Sequence, residues 1–163
     1  MSFIIVPGES DCDIVQITDH LYLGNWNTAC NVDFIKPYNF KAIMCISEHQ
    51  KPNFVLEQYK EHNITHYYKF LYDNTKERIS QLNSFIDPIC QHIKNKENVF
   101  VHCMSGMSRS PCFILMVLRQ LALENGEQNN WDLLNKHFDL LKQKRSIVRI
   151  NEGFFEQIKQ LYI

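Results

Sequence analysis

Apolar and polar positions alternate along this chain with two different periods. Short runs rich in β-branched and aromatic residues, at 14–17, 21–23, 42–46 and 65–70, read as strands, the first two flanking a Thr18-Asp19 turn. The run at 99–102 ends on a histidine and is expected to be a central strand. Helical spacing is expected at 79–94, 110–123, 130–142 and 152–161. Strands that alternate with helices predict a single α/β domain, a mixed, mostly parallel sheet flanked by helices. In such a sheet ligands bind beyond the carboxyl ends of the strands, where the segment after His102 emerges. Residues 1–12, with Pro7-Gly8-Glu9-Ser10, read as a poorly ordered lead-in, and 13–163 as one domain. No repeat or linker marks a second domain.

Composition narrows the class. The chain has 163 residues, 45% of them hydrophobic, enough for one domain with a sizeable core. A net charge of −1 gives no electrostatic case for nucleic acid or an anionic membrane. The six cysteines lie mostly in apolar runs, with no Cys-x-x-Cys. That usage fits reduced thiols and predicts a cytoplasmic or nuclear protein. The start 1–6 is too short for a signal peptide's apolar core, and the run 111–118 is far short of a membrane span.

The chemistry concentrates in Val99-Phe-Val-His-Cys-Met-Ser-Gly-Met-Ser-Arg-Ser110. A strand, a tight glycine-bearing loop and a helix start make a cradle of backbone N–H groups that suits a phosphate dianion. Met104, Ser105, Gly106, Met107 and Ser108 supply the amides, and Arg109 adds a planar fork for phosphate oxygens. Cys103 lies at the floor, where amides, helix N-terminus and Arg109 favour the thiolate over the thiol. His102 is expected to order the loop near the sulfur. Ser110, at the helix start, is placed to cap N–H groups or to donate to the sulfur as it leaves.

These residues match His-Cys-x5-Arg-Ser, and the chain resembles the small dual-specificity branch of the cysteine-dependent protein phosphatases, in its compact form without a kinase-docking domain. Ile17-Thr-Asp-His-Leu-Tyr-Leu-Gly24 with Ala29 is similar to that branch's opening strands and first helix. Tyr72-Asp73, with Ile79, Leu82 and Phe85-Ile86, is similar to its acid loop and next helix. Asn151-Glu-Gly-Phe-Phe155, with Gln157, is similar to its closing helix. The resemblance implies the protein tyrosine phosphatase fold, a phosphocysteine intermediate on Cys103, and Asp73 as the acid that protonates the leaving oxygen. It implies phosphorylated proteins as substrates, phosphotyrosine as well as phosphoserine and phosphothreonine, in intracellular signalling, and neither metal nor cofactor. Met104, Ser105 and Ile150 depart from the commoner residues at their positions, which bears on substrate preference.

Other assignments compete. On the same scaffold the substrate can be a phosphoinositide or an RNA 5′-phosphate, although the uncharged Met-Ser-Gly-Met-Ser loop favours phosphoprotein. An inactive phosphoprotein-binding adaptor is a different class, opposed by the intact Cys103, Arg109 and Asp73. His102, Cys103 and Cys112 lack a fourth zinc ligand at recognised spacing. Arg145 and Arg149 either reach a second anion on the substrate or are solvated arginines. Cys45 and Cys112, the latter expected two or three turns into its helix, are either disulfide partners for Cys103 under oxidation or buried hydrophobes. The remaining histidines are expected mostly at the surface.

Overall fold

The computed structural model describes residues 12–163. All but one residue of the expected lead-in lies outside that range. Five strands form one sheet in the order β1-β2-β5-β3-β4: β1 (Ile14–Thr18), β2 (Leu21–Gly24), β3 (Phe40–Ser47), β4 (Thr65–Phe70) and β5 (Asn98–His102). The β1–β2 pair is antiparallel and all other pairs are parallel, so the sheet is mixed and mostly parallel, as expected. β5 is the middle strand, between β2 and β3, and His102 is paired with Gly24 and Cys45.

Side chains alternate across the pleat and so divide the core between two faces. Ala42, Met44, Ile46, Val99 and Val101 face a cluster with α4 (Asn83–Lys94), α5 (Arg109–Glu124), α6 (Trp131–Lys144) and α7 (Glu152–Leu161). Ile43 and Phe100 face the opposite cluster, with α1 (Trp26–Cys30), α2 (Val32–Ile35) and α3 (Asn53–Glu61). α5 is the axis of the first layer, buried without interruption from Arg109 to Leu118. A helix covered on all sides is apolar all round, which is why 111–118 reads as a continuous apolar run.

Every helix and strand expected from the apolar pattern is present, with a 3-10 turn at Ile79–Leu82 leading into α4. The pattern did not reveal α2 and α3. α2 is a single turn, too short for a period, and α3 buries only Val55 and Tyr59. Cys112 lies in the first turn of α5, not two or three turns in, and its N–H is bonded to Ser108 C=O.

His102 and His137 are buried and His66 is half-buried, which disfavours charging their rings. Burial pushes the pKa of His66 down to about 3, that of His102 well below its ordinary value, and that of His137 down as well. His137, expected at the surface, is buried because α6 turns it inward to donate to the Tyr162 hydroxyl at 2.8 Å. His66 Nε2 accepts from the buried Lys51 ammonium at 3.0 Å. With folded-state pKa values depressed, the unfolded chain binds protons that the folded chain refuses, so these groups remove stability as pH falls below about 6.5. Urea titrations from pH 7.5 to pH 5 are expected to show falling stability, and His66→Gln is expected to reduce that slope by about one proton's worth. An unchanged slope in the variant would place His66 in solvent.

Truncation in α5 gives a second test. Phe113 is fully buried, and Phe113→Ala is expected to cost about 3–5 kcal/mol of unfolding free energy by urea titration.

Candidate active site

The loop between β5 and α5 places Cys103 at its base. Cys103 Sγ is 3.2 Å from the Gly106 N–H, which donates to it, and 3.1 Å from Ser110 Oγ. Ser110 therefore faces the sulfur and makes no cap, and the α5 N-cap residue Ser108 makes no side-chain cap either. Gly106 has φ +71°, the left-handed region, and a Cβ there would lie 2.5 Å from the Gly24 carbonyl. Glycine is required on both counts.

The loop's amides take their direction from its carbonyls. Each carbonyl from Cys103 to Ser108 accepts from a donor outside the cradle. His102 Nδ1–H donates to Cys103 at 3.0 Å, and the Trp26 N–H to Met104 at 3.0 Å. Arg145 donates to Ser105 from Nη2 at 2.8 Å and to Gly106 from Nε at 3.0 Å. The Arg149 N–H donates to Met107 at 2.7 Å and that of Cys112 to Ser108 at 3.0 Å. A trans peptide points its C=O and the next N–H in opposite directions, and no peptide among the described residues is cis. Carbonyls drawn outward thus aim the following amides inward. Among the described residues, the amides of Met104, Ser105, Met107 and Ser108 are bonded to no protein acceptor. The arrangement is a preformed anion cradle over a thiol.

Arg109 is buried at the rim and held from one end. Its Nη1 is ion-paired with Glu48 and donates to the Leu71 carbonyl at 2.9 Å. Arg109 in turn holds the Glu48 carboxyl below its ordinary range. Glu48 follows β3, in a segment anchored by Lys51, whose ammonium is 5.6 Å from the Trp26 ring centre and 5.5 Å from that of Tyr59. Nothing in the sequence pointed to Glu48, because its partner Arg109 is 61 residues away along the chain.

Asp73 is exposed, and its Oδ1 accepts from Ser108 Oγ at 2.8 Å and from Asn151 Nδ2 at 2.7 Å. Ser108 Oγ also accepts from the Asn151 N–H at 3.0 Å. The carboxyl is thereby tied to the cradle and to the start of α7. Gln157 fixes the same loop, donating to Glu77 C=O at 2.8 Å and accepting from Ile79 N–H at 3.0 Å. Gly153 packs so closely on Thr75 that a Cβ would be 2.1 Å from its carbonyl oxygen. These contacts bring residues named from the sequence as a closing helix onto the acid loop.

Other sequence candidates fall elsewhere. His102 is fully buried and ordered by its own loop carbonyl, and Nε2 has no hydrogen-bond partner among the described residues. Arg145 is buried behind the cradle and bonded to Asp13 Oδ1 at 2.7 Å, so it is not a solvated arginine. Arg149 is exposed. Cys45 shares the Ile43 side of the sheet by alternation, with Sγ 3.6 Å from Ser47 Oγ, whereas Cys103 lies in the loop beyond β5. Burial raises the thiol pKa of both Cys45 and Cys112. Among the described residues, no His, Cys, Asp and Glu cluster could hold a metal ion, and no helix is long and apolar enough to cross a membrane.

Comparison with known proteins gives a consistent result. The pattern of the dual specificity phosphatase catalytic domain matches residues 21–163. The chain is 28% identical over 147 residues to dual specificity protein phosphatase MPK-4 of Drosophila melanogaster, covering 90% of this chain and 35% of that protein. It is 33% identical over 148 residues to dual specificity protein phosphatase 1 of Homo sapiens, covering 90% and 36%. The chain thus spans about a third of the length of these relatives. The crystal structure of DUSP15 superposes with TM-score 0.74 at 25% identity, covering 91% of this chain and 86% of that one. Human DUSP28, at 17% identity, shares the fold with TM-score 0.75, over 92% and 93% of the two chains. With the matching pattern running from β2 to the last residue and the same fold in solved structures, the chain belongs to the dual specificity phosphatase catalytic domain family.

Proposed function

We propose that the chain hydrolyses phosphotyrosine and phosphoserine or phosphothreonine in phosphoproteins, through a phosphocysteine on Cys103. The observation that carries this is the inward-facing set of loop amides around Cys103 Sγ, with Asp73 fixed at the rim of the same loop. Family membership supplies the reaction class.

Each group has a chemical task. The amides of Met104 to Ser108 and the Arg109 guanidinium hold the equatorial phosphoryl oxygens, where charge is spread in the transition state. Glu48 and the Leu71 carbonyl fix one end of the guanidinium, so its orientation is set before the substrate arrives. The Cys103 thiolate attacks phosphorus in line with the leaving oxygen. Asp73 gives that oxygen a proton, so the alcohol or phenol departs neutral. Water then attacks the phosphocysteine, Asp73 takes its proton, and Ser110 donates to the sulfur as the S–P bond breaks. His102 acts through the loop: its Nδ1–H holds the Cys103 carbonyl and so aims the Met104 amide.

The uncharged loop side chains between Cys103 and Arg109 support phosphoprotein over more anionic substrates. The assay that tests this sets phosphopeptides, phosphoinositides and RNA 5′-phosphates side by side, with Cys103→Ser as a substrate trap. Preferred turnover of either non-protein class would replace the phosphoprotein assignment. Tight phosphopeptide binding without turnover would make the chain an adaptor.

Cys103→Ser is expected to abolish turnover while still binding phosphate, since the amides and Arg109 remain. Arg109→Lys is expected to lose most activity, because an ammonium cannot hold Glu48, Leu71 C=O and a phosphate edge together. Turnover near that of wild type in either variant would remove the mechanism.

Asp73→Asn is expected to slow phosphoserine and phosphotyrosine peptides roughly 100-fold or more, the usual worth of a positioned acid. An activated aryl phosphate, whose leaving group needs little protonation, is expected to lose much less. Equal losses for all leaving groups would assign the proton to another donor.

A further inference from the structure

We propose that Arg145 is a positioning residue of the phosphate cradle, which sets the directions of two loop amides from behind and never touches the substrate. The proposal rests on the phosphate-binding part of the functional reading.

Arg145 is 5% exposed, and a guanidinium so placed is costly to bury unless its donors are met. Here they are met by three acceptors, two of which are consecutive carbonyls of the cradle. One edge of the fork, Nη2 and Nε, spans Ser105 C=O at 2.8 Å and Gly106 C=O at 3.0 Å. Nη1, at the far end, pairs with Asp13 at 2.7 Å.

Peptide planarity transmits this grip. The Ser105 carbonyl and the Gly106 N–H belong to one trans peptide, so drawing the carbonyl toward Arg145 turns the N–H away from it. That N–H is the one that donates to Cys103 Sγ at 3.2 Å. By the same rule the Gly106 carbonyl aims the Met107 N–H. The loop has few other means of holding this stretch, because Gly106 has no side chain and φ +71°. The space where a side chain would start is also filled: a Cβ at Gly106 would meet the Gly24 carbonyl at 2.5 Å and Arg145 Nη2 at 3.0 Å.

The fork is itself held rigid. Arg145 closes the C-terminus of α6, its N–H donating to Leu141 C=O at 2.8 Å and its C=O accepting from Val148 N–H at 3.1 Å. Asp13, just before β1, fixes the outer end. The positive charge lies behind the peptide dipoles that face the anion, so it adds to their field without contacting the ligand. Lysine can meet one of these acceptors well, but not two consecutive carbonyls and a carboxylate.

The test measures oxyanion binding separately from catalysis. Tungstate affinity and turnover of an activated aryl phosphate are compared for wild type, Arg145→Ala, Arg145→Lys and Asp13→Asn. Binding is calculated per folded molecule from thermal melts. Arg145→Ala and Arg145→Lys are both expected to weaken tungstate roughly 10- to 100-fold, the worth of a misaimed hydrogen bond to a charged ligand. Asp13→Asn, which leaves the fork on the loop, is expected to lose less. Millimolar methylguanidinium is expected to restore part of the tungstate affinity of Arg145→Ala, which a packing defect would not permit. Tungstate affinity within twofold of wild type in either Arg145 variant overturns the proposal, as does Arg145→Lys behaving like wild type while Arg145→Ala fails. Absence of tungstate binding by the wild-type protein overturns it as well. Tight tungstate binding by wild type with no phosphoester turnover would sink the enzymatic reading and leave the role of Arg145 standing.

Discussion

The constraint on which this site depends is that every carbonyl of the 103–108 loop is drawn outward by a donor. Backbone amides are weak recognition groups singly, and a loop left to itself would turn some of them to solvent. The donors come from α1, α5, the α6–α7 connection and the residue before Cys103. Peptide planarity converts those contacts into a converging set of N–H groups. The cradle therefore exists before any anion enters it, and binding an anion needs little reorganisation.

The Asp73 carboxyl is held in a similar way. Asp73 lies on an exposed loop, which by itself would leave its carboxyl free to wander. Ser108, within the cradle, and Asn151, which caps α7, both donate to one of its oxygens. Asn151 also caps Phe154 N–H through Oδ1. A single hydroxyl, Ser108 Oγ, thus joins the 103–108 loop, the loop of Asp73 and the start of α7. The close seat of Gly153 on Thr75 and the two bonds from Gln157 hold the rest of the acid loop against α7.

Charge is buried around the site only where it is paired or caged. Arg109 has Glu48, Arg145 has Asp13, and Lys51 has His66 with two aromatic rings. Arg109 holds the Leu71 carbonyl, and Arg145 holds those of Ser105 and Gly106. An unpaired buried charge would be strongly destabilising, so these partners are required for the fold as well as for the geometry.

The sequence by itself determined the elements with strong periodicity, the mixed α/β architecture, and the loop that carries the chemistry. It could do so because those features are local: a run of apolar residues, a glycine between a cysteine and an arginine, a hydroxyl one residue on. The family was legible for the same reason. What only the tertiary structure decided were the partners that lie far apart in the chain. Glu48 meets Arg109 because the ends of β3 and β5 are neighbours in the sheet. Arg145, whose spacing allowed a second anion site or a solvated surface, is buried because the chain leaving α6 passes behind the loop. Cys45 pairs in register with His102, so strand alternation puts it with Ile43 and Phe100 on the face opposite Met44 and Val101. Register, facing and burial are properties of the assembled sheet, and periodicity along one chain does not contain them.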